Sequence, residues 1–142
     1  SLQLIAEIEI KNDVDIALLK LIDILSNVKM MYTSSESNTI LPCVYSNVAI
    51  FLLRRHRFED CLKVSKKGIE YSIEHFDMSG LAHLYYCKSN SSLRLGLIND
   101  SEEYAKLCLM TSLVKNNSYE LEMFKKALTK DFGFDALKLL KG

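Results

Sequence analysis

The chain has 142 residues, of which 49% are hydrophobic, and its 18 basic residues balance 18 acidic ones. This length suffices for one domain with its own core, and the hydrophobic content excludes a disordered chain. No apolar run approaches the roughly 20 residues of a membrane span, and zero net charge provides no positive field for nucleic acid. We predict a single domain over residues 1–142 that binds neither membrane nor DNA itself.

The first predicted elements are two helices and a polar loop. Leu2–Lys11 is predicted to be a short helix, and Asp13 caps a longer one whose apolar residues recur at helical spacing. Together they resemble a degenerate first hairpin. Thr33–Thr39 is rich in Ser, Glu and Asn and is predicted to be a loop. Pro42 suits the first turn of a new helix, where its missing N–H is no loss, and this helix should end near Arg55.

The rest of the chain alternates helical periodicity with short breaks. We predict helices over Phe58–His75, Leu81–Leu95, Ser101–Lys115 and Ser118–Asp131, and a last amphipathic turn or two from Asp135 to Lys141. The predicted breaks are His56–Arg57, Asp77–Gly80, Gly96, Asn116–Asn117 and Gly133. Ser101 is expected to start one helix and Ser118 to cap the next. No segment has the strict alternation of a strand, so the chain is predicted to be all-helical.

Two of these segments repeat the same plan of helix, polar break and helix. A shift of 40 residues superposes Pro42–Tyr71 on Leu81–Thr111 and aligns five pairs: Tyr45 with Tyr85, Leu53 with Leu93, Arg54 with Arg94, Phe58 with Ile98, and Lys66 with Lys106. Repeats of this length are typical of helical solenoids, in which stacked hairpins share a core and leave a concave surface. The predicted fold is an all-α superhelix of stacked hairpins.

A polar stripe on the first helix of each hairpin is the candidate binding site. Cys43, Ser46, Asn47, Ile50 and Arg54 lie at offsets that place them on one helical face, and the shift maps them onto His83, Tyr86, Cys87, Asn90 and Arg94. The two stripes should be neighbours. An asparagine amide offers both a donor and an acceptor and can pair with a peptide bond, while an arginine can pair with a carboxylate. The alternative is that these residues are simply exposed polar side chains.

Catalytic and metal-binding patterns are not evident in the sequence. The three histidines, His56, His75 and His83, have no spacing that would put two on one helical turn, and no catalytic or phosphate-binding motif occurs. We predict no enzyme, no cofactor and no metal. The cluster Arg54–Arg57 is interpreted as a solvated helix end, where cations offset the negative end of the dipole.

The four cysteines are Cys43, Cys61, Cys87 and Cys108, and no two of them form a C-x-x-C pair. Their aliphatic neighbours recur at helical spacing, which is typical of small core residues. Secreted disulfide frameworks use denser cysteines in loop-rich chains, so we predict reduced, mostly buried thiols and a cytoplasmic protein. The first 12 residues include acids and lack the basic start of a signal peptide, and the chain is expected to be an excised fragment.

Several phrases resemble tetratricopeptide-like repeats. They are Y-S-N-V-A at Tyr45–Ala49, R-F-E-D-C-L at Arg57–Leu62, K-G-I at Lys67–Ile69, L-Y-Y-C-K at Leu84–Lys88 and L-R-L-G at Leu93–Gly96. More narrowly, their order is similar to that in the C-terminal sensor domain of Rgg/PlcR-type regulators of Firmicutes, within the Xre family. The segments before Leu41 and after Leu113 carry none of these phrases, so the resemblance covers roughly half of the chain.

The resemblance implies a cytoplasmic, homodimeric bacterial transcription factor used in quorum sensing. It would bind DNA through a helix-turn-helix domain absent from this chain and a short signalling peptide on the concave face. Asn47 and Asn90 fall where that family commonly places peptide-holding asparagines. The chain has fewer clear hairpins than the full sensors. The alternatives are a tetratricopeptide-like adaptor that binds a partner's tail, and an enzyme fragment, which would need a convergent polar cluster in a closed pocket.

Overall fold

The computed structural model describes residues 35–141, with side chains from residue 44 onward. Contacts divide the chain into one unit over Ser1–Ser37 and a second over Asn38–Gly142, and the account below concerns the second. The predicted first hairpin, before residue 35, and the side chain of Cys43 lie outside the described residues. The prediction of a single domain over residues 1–142 stays a prediction.

The described residues form five α-helices and a final 3₁₀ helix, and no strand occurs among residues 35–141. The helices are α1 (Ser35–Arg54), α2 (Phe58–Glu74), α3 (Leu81–Arg94), α4 (Ile98–Val114) and α5 (Ser118–Phe132), and the 3₁₀ helix is Ala136–Lys141. Consecutive helices from α2 to α5 contact one another, and the 3₁₀ helix packs on α4 and α5. The all-helical prediction is confirmed.

The start of α1 differs from the prediction. Residues 35–39 of the predicted loop Thr33–Thr39 are helical, so the loop was wrong there. Their polar composition misled, because Ser and Glu are tolerated in a helix almost as well as apolar residues are. Pro42 accordingly occupies the eighth position of α1 instead of its first turn, where its ring removes one backbone hydrogen bond from the helix interior.

The caps of α4 and α5 also differ from the prediction. The helix expected to start at Ser101 starts at Ile98, and Ser101 is buried within it with its hydroxyl donating to the Ile98 carbonyl over 2.7 Å. A serine that bonds back to the preceding turn cannot serve as the N-cap. The cap of α5 is Asn117 instead of Ser118, because the Asn117 side chain accepts from the Glu120 N–H.

The turns after α1, α2, α3 and α4 repeat at a regular interval. A residue with positive φ follows each helix, and these residues stand 20 positions apart: His56, Phe76, Gly96 and Asn116. In each turn the next N–H donates to the carbonyl five residues back: Arg57 to Leu52, Asp77 to Ser72, Leu97 to Ser92, and Asn117 to Ser112. These bonds satisfy carbonyls that the helix end leaves open. The interval therefore fixes where each helix ends.

The two hairpins predicted to be repeats share boundaries and internal contacts. The first residues of α2 and α4, Phe58 and Ile98, stand 40 apart. In the first hairpin the Cys61 thiol lies 3.3 Å from the Ala49 carbonyl, and in the second the Ser89 hydroxyl donates to the Ser101 carbonyl over 2.7 Å. Ala49 and Ser89 occupy equivalent positions in the shift, as do Cys61 and Ser101. The 40-residue repeat is confirmed in the described hairpins.

Gly68 marks the point where three helices meet. A Cβ atom placed on this residue of α2 would lie 2.8 Å from Tyr45 Cβ of α1 and 2.9 Å from both methyl carbons of Leu84 in α3. Two side chains that close to one point must be close to each other. The first helices of the two hairpins, α1 and α3, are therefore neighbours against α2, as the sequence predicted.

The core between these helices is built from small as well as aliphatic side chains. Cys61, Cys87 and Cys108 are fully buried and free, which agrees with the expected reduced, buried thiols. Burial raises the pKa of Cys108, and a hydrogen bond with Cys61 together with burial raises that of Cys87, so both stay protonated and unreactive. Within residues 35–141, no helix is long and apolar enough to cross a membrane.

Candidate functional site

The stripe predicted on α1 is only partly open to solvent. Asn47 and Arg54 are exposed, Ile50 is half-buried and Ser46 is buried. Since Tyr45 and the other α1 residues that contact α2 lie on the opposite side of the helix, Asn47 and Arg54 point away from α2. Their polar groups lie on a surface that the hairpin partner does not cover.

The stripe predicted on α3 is more enclosed than expected, because α5 packs over it. His83 and Tyr86 are half-buried, Asn90 is 7% exposed, and only Arg94 is exposed. The Phe124 ring of α5 lies 4.9 Å from the His83 ring and 5.4 Å from the Tyr86 ring. Side chains thus join α3 to α5. Three of the four residues meet a neighbouring helix.

Tyr86 and Asn90 converge on a carboxylate of α5. The Tyr86 hydroxyl donates to Asp131 Oδ2 over 3.2 Å, and Asn90 Nδ2 donates to the same oxygen over 2.8 Å. Asn90 Nδ2 also lies 3.5 Å from the Tyr86 hydroxyl. We call these three side chains the Asp131 cluster. It contains a phenol, an amide and a carboxylate within hydrogen-bonding distance.

Asp131 was not among the residues that the sequence singled out. The signal was present, because Phe124, Leu128 and Asp131 follow at offsets of 0, 4 and 7 and share one face of α5. Phe124 and Leu128 are buried, and Asp131 extends their row at half-burial. A carboxylate that continues an apolar row is a candidate for a paired or ligand-facing group.

The electrostatics of the Asp131 cluster favour a neutral phenol beside a charged carboxylate. Burial and then the negative charge of Asp131 raise the pKa of Tyr86, so its hydroxyl stays protonated and donates. No ion pair joins Asp131 to another residue within the described part of the chain. The carboxylate is therefore held by two neutral donors only.

His83 lies at the other end of the contact between α3 and α5. Burial lowers its pKa, with an opposing effect from Glu120 and a further lowering by Lys115. Glu120 is buried at the start of α5 and is paired with Lys115 over 3.2 Å. At neutral pH the imidazole is therefore uncharged and packs on Phe124 as an aromatic ring.

This arrangement predicts a loss of stability in mild acid. Because the pKa of His83 is lower in the folded chain than its ordinary value of 6.5, the unfolded chain binds the proton more readily. The contribution of His83 to the free energy of unfolding is present above pH 6.5 and is lost as the pH falls through the folded pKa. Urea unfolding between pH 5 and 7.5 should show a smaller pH dependence in His83→Gln than in wild type. Equal dependence in both proteins would contradict this role.

The basic cluster Arg54–Arg57 is occupied by local contacts at the end of α1. Arg57 forms an ion pair with Asp60 at 2.6 Å, and the His56 ring stacks on Phe58 at 5.6 Å. Arg55 lies over the Phe51 ring. These contacts agree with the interpretation of the cluster as a helix end. In the same described region, no group of His, Cys, Asp and Glu side chains could hold a metal ion.

No protein-family model matches the chain, and no curated protein or solved structure was found similar to it. These comparisons do not link the chain to Rgg/PlcR-type regulators. A function must therefore be proposed from the residues and their geometry, with the sequence resemblance as a guide.

Proposed function

We propose that this chain binds a short extended peptide on the surface formed by α1, α3 and α5, as the sensor and dimerisation domain of a bacterial transcriptional regulator. The observation that supports peptide binding best is the Asp131 cluster beside the open polar residues of α1. The hairpins would stack as a superhelix, with this surface on its concave side.

The placement of the helices supports a shared surface. Contacts at Gly68 make α1 and α3 neighbours, and Phe124 joins α3 to α5. The first helices of successive hairpins are thus side by side, as they are in a helical solenoid. A ligand lying across them would reach residues from three helices.

The side chains on this surface match the groups of a peptide. Asn47 is exposed, and its amide can donate to a peptide carbonyl and accept from a peptide N–H. Arg54 is also exposed and can pair with a carboxylate, either the peptide's C-terminus or an acidic side chain. The half-buried Ile50 between them offers an apolar contact. Asn90 differs from Asn47, since its amide nitrogen already donates to Asp131.

The assignment to a regulator is drawn from the sequence resemblance. It implies a homodimer, a cytoplasmic location and DNA binding through a domain outside this chain. An adaptor that binds a partner's tail on the same surface is the alternative. The parent gene distinguishes the two, because a helix-turn-helix pattern encoded before Ser1 favours the regulator.

The proposed peptide site can be tested with Asn47→Ala. Peptides that bind wild type are first selected from an array of random octapeptides, and their affinities for both proteins are then measured by titration calorimetry. Loss of the paired amide should weaken binding by about 1–3 kcal/mol, with little change in folding stability because Asn47 is exposed.

A matched control is Asn99→Ala, since Asn99 is an exposed asparagine in the first turn of α4. This variant should bind the selected peptides as wild type does. Equal affinity of Asn47→Ala and wild type would move the site away from α1, and absence of any binding peptide would contradict the proposed function.

A further inference from the structure

The carboxylate of Asp131 is half-buried and has no cation beside it among the described residues. Its two hydrogen bonds come from neutral groups, the Tyr86 hydroxyl and the Asn90 amide. The other carboxylate on this side of α5, Glu120, has its own lysine at 3.2 Å. Of the two, only Asp131 keeps an uncompensated negative charge at the contact with α3.

The two donors also orient the carboxylate. Both bonds end on Oδ2, so Oδ1 has no hydrogen-bond donor among the described residues. Asn90 is buried and Tyr86 is packed against Phe124, which holds the donors in position. A carboxylate oxygen prepared in this way binds a cationic donor at little cost in side-chain entropy.

We propose that Asp131 receives a cationic group of the bound peptide, with Tyr86 and Asn90 as positioning residues for its carboxylate. The group is either the peptide's N-terminal ammonium or the ammonium or guanidinium of a basic side chain. This inference rests on the proposed peptide-binding function and specifies which end or side chain of the peptide lies against α5. Charge-assisted hydrogen bonds to a partly desolvated carboxylate are stronger than neutral ones, so this contact should select among peptides.

The test uses Asp131→Asn and an array of random octapeptides made in two forms, with free and with acetylated N-termini. Asparagine keeps the size of the side chain and can still accept from Asn90, so the contact between α3 and α5 is retained. Thermal unfolding of the variant checks this. The control variant is Asp100→Asn, since Asp100 is an exposed carboxylate on α4.

Wild type should prefer peptides that carry a cation, and Asp131→Asn should bind them about ten- to a hundredfold more weakly. Acetylation should abolish the difference if the N-terminus is the source. If basic side chains are the source, the difference should follow Lys and Arg content and survive acetylation. Asp100→Asn should behave as wild type.

Two results would overturn the inference in different ways. Peptides that bind wild type and Asp131→Asn equally would refute the role of Asp131 while leaving the proposed function in place. An array without any binding peptide would refute the proposed function and this inference together.

Discussion

Replacing Gly68 with alanine should destabilise the fold by about 1–3 kcal/mol, although alanine is the better helix former by about 1 kcal/mol. The added methyl would lie 2.8 Å from Tyr45 Cβ and 2.9 Å from both Leu84 methyl carbons. One neighbour is a Cβ atom fixed to the backbone of α1, so relief requires α1 or α3 to move away from α2. Overpacking therefore outweighs the gain in helix propensity.

Urea unfolding of Gly68→Ala and of Glu70→Ala compares a buried with an exposed position of α2. The exposed substitution should change the free energy of unfolding by less than about 0.5 kcal/mol. Leu84→Ala adds a second check, because its own cost should be smaller when Gly68 is already alanine. A Gly68→Ala protein as stable as wild type would show that the three helices do not meet this closely.

Replacing Lys115 with methionine should destabilise the fold by about 2–3 kcal/mol. This change leaves Glu120, which is 6% exposed, without its cation. Removal of one partner of a fully buried ion pair costs about 3–5 kcal/mol, and the effect is smaller here because the Lys115 side chain keeps 20% of its exposure. The hydrogen bond from the Ser112 hydroxyl at 3.1 Å cannot neutralise the charge.

The double variant Lys115→Met with Glu120→Gln separates charge from packing. A neutral amide at position 120 can still accept from Ser112, so most of the lost stability should return. Chemical unfolding of wild type, single and double variants at pH 7 gives the comparison. If the double variant is no more stable than Lys115→Met, the loss arises from packing and the ion-pair account is wrong.

Much of the fold could be predicted because the sequence repeats. The shift of 40 residues aligned Phe58 with Ile98 and Arg54 with Arg94, and these residues begin or end equivalent helices. Glycine and asparagine at the turns were readable, since both tolerate positive φ. His56 and Phe76 adopt the same conformation without that signal, and there the regular interval was the better guide.

The environment of individual site residues was harder to predict. The face of α3 that carries Tyr86 and Asn90 was identified, but its burial depends on α5, whose packing no local pattern reveals. Asp131 was missed because the shift of 40 residues maps it onto the buried serine Ser91, which has a different chemistry. Periodicity identifies a helical face, whereas the tertiary contacts decide which residues on that face stay open.

The surface opposite to the proposed site offers a useful reference. A groove of about 310 Å³ between α2, α3 and α4 is lined by Lys63, Lys66 and Lys88 together with Tyr104. The Lys88 ammonium lies 4.2 Å from the centre of the Tyr104 ring. A ligand bound there would contact the second helices of the hairpins, so the two surfaces can be distinguished residue by residue.

The most direct measurement is a titration of ¹⁵N-labelled protein with a selected octapeptide, followed by two-dimensional NMR. The proposed site predicts the largest shifts at the side-chain amides of Asn47 and Asn90 and at the backbone amides around Arg54 and Asp131. Shifts confined to the groove at Lys63 and Lys88, with both asparagine amides unchanged, would contradict the assignment of the binding surface to α1, α3 and α5.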